Sequence, residues 1–264
     1  MKAVLKKILK KIISERFHKA AQLAYSNGKI RSLQAARNVG NKIKYGKEAP
    51  VCGETVYVEA RTCNKILHSS TIRNILGLTK NRASGKVISF WPLEHTLSLM
   101  EKPGFEADIK SWIKKLPYGY IIPPEYSIGI RIRSCIEHWV GGLSWQDTGI
   151  FELLQYEMKT SQKGSYDNCK NLDDIITRYN NLDLLFKQIK QEGRLRTQEE
   201  INPNNYRKRF EVLFHIGPYG KTFFGGAGCH RFAIAYILKL KFPATIGLVY
   251  KSAIPFLPEL RKNN

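Results

Sequence analysis

The chain is short of acid. Its 22 Asp and Glu stand against 43 Lys and Arg, which leaves a formal net charge of +21 over 264 residues. That imbalance predicts an anionic partner: nucleic acid, a nucleotide, an acidic glycan or a lipid headgroup. Paired cysteines are lacking too. Cys52, Cys63, Cys135, Cys169 and Cys229 are scattered and odd in number, with no Cys-x-x-Cys pair and no Cys/His cluster at zinc spacing. This argues against a metal ribbon or a disulfide framework and predicts free thiols in a reducing cytosol. No apolar run approaches the roughly 20 residues that span a bilayer. Lysines interrupt the N-terminal apolar residues and no small-residue cleavage site follows, so the N-terminus does not read as a secretory signal. There is no internal repeat. The 43% apolar content is that of a globular chain with a real core.

Residues 1–25 do carry a pattern. Val4, Leu5, Ile8, Leu9, Ile12, Ile13 and Phe17 recur at helical spacing, and Lys2, Lys6, Lys7, Lys10, Lys11 and Arg16 fill the opposite face. Two readings are open: an interfacial helix on an anionic membrane surface, or a helix docked on its own domain. A second helix over about 30–39 and a linker complete a basic extension, residues 1–49. Farther on, Glu54–Glu59 alternates like a strand, Ser70 or Thr71 can cap a short helix, Val87–Trp91 suggests a strand, and Glu106–Leu116 reads as a helix.

Residues 126–133 alternate, with Ile128, Ile130 and Ile132 on one side and Arg131 and Arg133 on the other, and this predicts a strand. The stretch 137–149 is dense in aromatic, Gly and polar residues. It reads either as a platform for a sugar or base or as a structural loop whose Trp139 and Trp145 plug the core. Ile150–Met158 continues as a short helix. The strongest helix signal follows: Leu172, Ile175, Ile176, Tyr179, Leu182, Leu185, Phe186 and Ile189 form one face, Asn171 or Asp173 can cap the start, and Gly193 ends it.

Residues 210–250 organise the rest. An alternating run, 210–216, meets a turn at 217–220 and a short strand, 221–224. A Gly-rich loop, Gly225-Gly226-Ala227-Gly228, then opens Cys229-His230-Arg231 and an apolar helix to Leu240. Pro243 is expected to stop that helix before a last strand, 245–250. Glycines let a backbone approach a ligand, and the first N–H groups of a helix lack partners and attract anions. Gly225, Gly226, Gly228, Cys229, His230 and Arg231 are therefore candidate phosphate ligands, with His230 as a switchable donor and Arg231 as a bidentate fork. Phosphoryl transfer also needs a carboxylate. Glu199, Glu200 and Asp183 are near in sequence, and Glu199 and Glu200, with His230, are the candidate catalytic residues. Cys229, beside His230 and Arg231, can be read as a nucleophile with a lowered pKa or as a small residue filling the turn. The residues from 255 onward suggest a frayed basic tail.

The run Gly225-Gly-Ala-Gly-Cys-His-Arg-Phe-Ala-Ile-Ala-Tyr-Ile-Leu, with the upstream Arg178-Tyr179, Leu182-Asp183 and Gly193, resembles the ParB/sulfiredoxin superfamily. The resemblance covers about residues 137–255. It implies an α+β fold with a small mixed sheet, and a nucleoside triphosphate such as ATP, with Mg2+, held on the Gly-rich loop and the His-Arg pair. On it, the chain divides into the helical extension 1–49, a mixed α/β region 50–136, a nucleotide-binding domain 137–255 and a tail 256–264. The implied activity is a cytoplasmic ATP-dependent phosphotransferase or nucleotide hydrolase, peripheral to the inner membrane face if residues 1–25 bind lipid. Its acceptor would be an anionic small molecule, a saccharide or a lipid-linked saccharide. The alternatives are a nucleic-acid-binding module without catalysis and sulfiredoxin-like thiol chemistry at Cys229. The loop is longer than the reductases' Gly-Gly, and the Arg-rich motif of the DNA-partition members is absent.

Overall fold

The structure, a computed structural model, describes residues 28, 31–78, 84–98, 108–117, 119–160, 167–201, 203 and 211–263. The amphipathic segment 1–25 lies outside the described residues, apart from which α1 covers residues 31–45. Gly40 does not end α1, and residues 40–45 are helix where a linker was expected. Buried Asn41 explains the continuation: its amide donates to the carbonyls of Pro50 and Gly85, both at 2.8 Å.

In chain order there follow β1 (Thr55–Glu59), β2 (Lys65–Ile66), α2 (Ser69–Leu76), β3 (Lys86–Ile88), β4 (Leu97–Ser98), α3 (Ile109–Lys114), α4 (Pro124–Trp139), α5 (Ile150–Thr160), α6 (Leu172–Glu192), α7 (Gln198–Ile201), β5 (Val212–Ile216), β6 (Thr222–Phe224), α8 (Cys229–Leu238), β7 (Lys241–Tyr250) and α9 (Leu257–Leu260). The architecture is mixed α+β. Among the described residues, seven strands form one sheet in the order β1-β7-β5-β6-β2-β4, with β3 joining β7. β5 runs parallel to β7 and antiparallel to β6, while β2 runs parallel to β6.

Strands from both halves of the chain share this sheet, since β1 pairs with β7 from Thr55↔Thr245 to Glu59↔Lys241. The boundary expected between 136 and 137 falls inside α4. Strands from 55–98 and 212–250 thus share one sheet; Val56, Val58, Phe214, Phe224, Phe232 and Phe242 are buried in its larger cluster, and Leu67, Ile72, Trp91, Phe223 and Leu248 form a second. Phe224 stacks on Phe232 at 4.7 Å and fastens α8 to the sheet.

Three expectations are corrected. Residues 126–133 are the first half of α4, not a strand. Pro123 and Pro124 start the helix, where a missing N–H costs nothing. Ser127, Ile128, Ile130, Arg131, Ile132, Ser134 and Cys135 are all buried. A helix enclosed on several faces has no 3.6-residue stripe, and buried Arg131 imitated the polar side of a strand. β7 begins at Lys241 and runs through Pro243. That residue lies opposite Tyr57 on β1, while pairing with β5 begins only at Ala244, so the missing N–H interrupts no ladder there on the β5 side. Residues 255–263 are not a frayed tail. Leu257 of α9 is fully buried, and the Arg261 guanidinium bonds Glu54, Glu48 (3.1 Å) and the carbonyl of Ala49 (3.0 Å).

The helix expected after Asn171 stands between its expected caps, while the strand expected over Val87–Trp91 is Lys86–Ile88 and the helix expected over Glu106–Leu116 is Ile109–Lys114. Asn171 accepts from the N–H of Asp174 at 2.8 Å to start α6, and Gly193 ends it with φ 66°. Asp108 caps α3 through the N–H of Lys110 at 2.9 Å.

Candidate functional site

The Gly-rich loop is tied to β5 by two backbone bonds. The N–H of Gly225 donates to Leu213 O (2.7 Å), and the N–H of Leu213 donates to Ala227 O (3.2 Å). Gly226 and Gly228 hold φ of 80° and 83°, left-handed values that favour glycine. Gly228 is the N-cap of α8, yet no side chain caps that end and no acidic residue stands in its first turn. The positive end of a ten-residue helix therefore opens at this loop.

It opens into a cleft of about 540 Å³ lined by Gly226–Arg231 on one wall and by His68, Ser127, Ile128, Arg131, Asp167, Arg178, Leu182 and Leu185 on the others. An adjoining groove of about 690 Å³ shares Asp167, Arg178, Leu182 and Leu185. The loop, α4, α6 and residue 167 meet here because α4 and α6 both pack on α8.

The floor of the cleft is a buried ionic network. Arg131, 2% exposed, gives Nη2 to Glu157 Oε2 (2.7 Å) and Nε to Asp167 Oδ2 (2.9 Å). Its Nη1 reaches Glu157 Oε1 (3.2 Å), the carbonyl of Ser127 (3.1 Å) and the Ser127 hydroxyl, which itself donates to Glu157 at 2.5 Å. Arg178 meets the other Asp167 oxygen at 3.2 Å from the cleft side, where it is partly exposed. Burial works against the Arg131 charge, but Asp167 and Glu157 outweigh it and keep the guanidinium firmly ionised. Burial likewise pushes the Asp167 carboxyl up; Arg131 foremost overrides this and holds it below the usual range.

A second chain of groups leads from Asp167 to the loop. Tyr179 Oη lies 3.3 Å from Asp167 Oδ2 and 3.4 Å from His230 Nε2, and Cys229 Sγ lies 3.9 Å from His230 Nδ1. One tautomer serves every contact: Tyr179 donates to Asp167, the Nε2–H of His230 donates to Tyr179, and the thiol leans on Nδ1. Burial lowers the His230 pKa to about 4, so at neutral pH the ring is uncharged and does not switch.

The same burial corrects the activated-thiol reading. The Cys229 thiol is pushed up to about 11, first by burial and then by the charge of Asp167, and neutral His230 offers it no cation. Arg231 is also engaged. Its Nη1 bonds buried Glu211 (2.6 Å) and its Nη2 the carbonyl of Arg196 (2.6 Å), so it clamps β5 to the segment before α7.

The structure brings together Gly226, Gly228, Cys229, His230 and Arg231 at the cleft, buries Gly225 against Leu213 and His215 behind it, and leaves Glu199 and Glu200 outside the lining. Glu200 is used locally, where it accepts from the N–H of Thr197 (2.6 Å) and from Arg194 (2.8 Å), and these hydrogen bonds lower its pKa to about 2. Asp183 is a structural node. It receives the indole N–H groups of Trp139 (2.8 Å) and Trp145 (3.1 Å) and faces His138 Nε2 at 3.0 Å. Trp139 stacks on Phe186 at 4.5 Å, and Trp145 stacks on His138 at 4.0 Å. The two tryptophans fasten the 137–149 segment to α6 and do not form an open platform.

Sequence reasoning missed His68, Ser127, Arg131 and Asp167. The one signal in the sequence was the pair of arginines within a run of isoleucines, where a charge recurring on an apolar face asks for a buried partner.

No helix of the described residues is long and apolar enough to cross a membrane, and no group of three or more His, Cys, Asp and Glu among them is placed to hold a metal ion. In comparisons with known proteins, no family model, no curated protein and no solved structure matches the chain.

Proposed function

We propose that the chain binds a nucleoside triphosphate such as ATP in this cleft, with phosphates on Gly225–Arg231, and transfers the γ-phosphoryl group to an acceptor or to water. The observation that carries the reading is the α8 N-terminus. It is uncapped by any side chain, entered through two left-handed glycines, and faces a cleft that also presents Arg131 and Arg178. A polyphosphate matches the N–H donors and positive dipole end of that helix terminus. The net charge of +21 agrees with an anionic ligand. The order β5, β6, Gly-rich loop, α8, β7 is also the order the ParB/sulfiredoxin resemblance leads one to expect, and that fold assignment is part of the proposal.

The phosphates would lie on the backbone of Gly226–His230, with Arg178 as the mobile cation. Arg131 acts through Asp167 and Glu157: it fixes α4 and α5 against residue 167, and Arg178 adds the second cation that balances the two carboxylates. Mg2+ is a poorer fit to the side chains themselves. Asp167 is held by Arg131, Arg178 and Tyr179, so the described residues do not build a protein-held site. Such an ion travels bound to the triphosphate, and no step is assigned to it here.

The test is incubation with γ-labelled ATP and Mg2+, with water, saccharides and lipid-linked saccharides as acceptors. Release or transfer of label supports the reading. No turnover, together with no nucleotide binding, ends it.

A further inference from the structure

We propose that α1 docks on an anionic lipid surface through its outward face, a contact separate from the nucleotide cleft. The helix is turned inside out. Its polar side holds it to the domain: Arg37 Nη1 donates to the carbonyl of Ser84 (2.9 Å), Asn38 Oδ1 accepts the N–H of Cys52 (2.8 Å), and the Asn41 amide donates to the carbonyls of Pro50 and Gly85. At about 100° per residue, Arg37 and Asn38 lie on either side of Asn41. Ser32, Ala36, Val39 and Ile43 then project on the opposite side, within a sector of about 60°. All four are exposed, Val39 at 61% and Ile43 at 81%, and Leu33 beside them stands at 48%.

An ordinary surface helix does the reverse, burying an apolar stripe and turning its charges to water. Here the apolar residues at i and i+4 crest the outer side, and the hydrogen bonds beneath fix the rotation of the helix. The crest turns inward only if those bonds break.

The charges beside the crest choose its occupant. Arg31 and Lys42 lie along one flank and Lys44 along the other, with Lys47 just past the helix, and all four are exposed. No acid occurs between Glu15 and Glu48. An apolar crest between basic flanks suits a helix lying in a membrane interface, where lysine stems follow the apolar side and their ammonium groups reach lipid phosphate. The other two occupants bring like charges together. A second copy meeting this face about a two-fold axis sets basic flank against basic flank. Residues 1–25 would add more lysines to the same rim, Lys2, Lys6, Lys7, Lys10 and Lys11 among them.

The experiment is cosedimentation of the full chain with vesicles of phosphatidylcholine, alone or mixed equally with phosphatidylglycerol. It compares the original with the paired variants Val39→Ser with Ile43→Ser and Lys42→Gln with Lys44→Gln, each checked for folding by circular dichroism. The original is expected to bind the mixed vesicles and not phosphatidylcholine alone. Binding should weaken about tenfold in the serine pair and roughly tenfold or more in the glutamine pair. The indole added by Ile43→Trp should be quenched by brominated lipid in the mixed vesicles. A lipid contact confined to residues 1–25 would leave the serine pair bound like the original and that indole unquenched. No binding to the mixed vesicles, binding within about threefold in a folded serine pair, or an unquenched indole would each overturn the proposal. A lipid-free dimer, seen by sedimentation velocity and dissolved in the serine pair, would overturn it too and give the face to a second copy.

Discussion

Replacing Arg131 by Met removes the cation held between Glu157 and Asp167 while keeping most of the apolar stem. Both carboxylates stay buried, at 5% and 8% exposure, and Asp167 retains the Tyr179 hydroxyl (3.3 Å) and, as a cation, the partly exposed Arg178 at 3.2 Å. Breaking a buried pair from one side leaves an uncompensated charge and costs about 3–5 kcal/mol, a large share of a typical domain's 5–15 kcal/mol. The pH dependence sets this apart from lost packing. In the original chain Asp167 lies below its usual range, so its contribution is present at neutral pH and lost as pH falls. Without Arg131, burial dominates and lifts the folded-state pKa above the unfolded one; the variant is then penalised at neutral pH and relieved as Asp167 protonates. The gap between the two proteins should therefore be about 3–5 kcal/mol at pH 7 and shrink toward pH 4. Urea unfolding followed by tryptophan fluorescence reads this directly, because Trp139 and Trp145 pack against α6. A gap below about 1 kcal/mol at pH 7, or one that does not change with pH, refutes the reasoning. Adding Glu157→Gln and Asp167→Asn to Arg131→Met should recover much of the loss, since no buried charge is then left unpaired.

Two further outcomes follow from the titrating groups around the loop. His230 is buried neutral with a pKa of about 4 against 6.5 when unfolded, so the unfolded chain takes the proton first. Stability should be flat above about pH 6.5 and decline toward pH 4 by about 3 kcal/mol; His230→Gln, measured by urea unfolding across that range, should lack this component, and an unchanged slope would contradict it. Cys229, at about 11, should resist iodoacetamide at pH 8 in the native chain and label readily in urea, with mass spectrometry of the Cys229 peptide as the readout; fast native labelling would restore the activated-thiol reading.

What the sequence made legible followed local rules. α6 was readable because its apolar face recurs at helical spacing and Asn171 and Gly193 punctuate it. The loop and α8 were readable because glycines of positive φ precede an apolar run. The misreadings have one physical source, tertiary burial overriding a local period. α4 is enclosed on several faces, so its isoleucines alternate and its arginine hides inside. Pro243 is accepted by β7 because β5 pairs with that strand only beyond it. The end of the chain is ordered by Arg261 reaching Glu48 and Glu54, contacts separated by some 200 residues that no local pattern signals. Half of the candidate site was likewise invisible. His68, Arg131 and Asp167 are isolated in sequence and acquire meaning only where β2, α4 and the segment before α6 converge on Gly226 and His230. Neighbour-based chemistry also misled at Cys229 and Arg231, because burial set the thiol's pKa and Glu211 took the guanidinium.

The central claim is that the Gly226–His230 wall holds phosphate, and calorimetric titration of ATP with Mg2+ into the full chain, beside Gly226→Ala, tests it most directly. An alanine there must adopt φ near 80° at a cost of about 1–2 kcal/mol and would meet the His68 ring and Ile128. The account predicts saturable one-to-one binding that weakens with salt and drops at least about tenfold in Gly226→Ala, a loss of about 1.4 kcal/mol, with circular dichroism confirming that the variant is folded. No binding by the original chain, or equal binding by a folded Gly226→Ala, would contradict it.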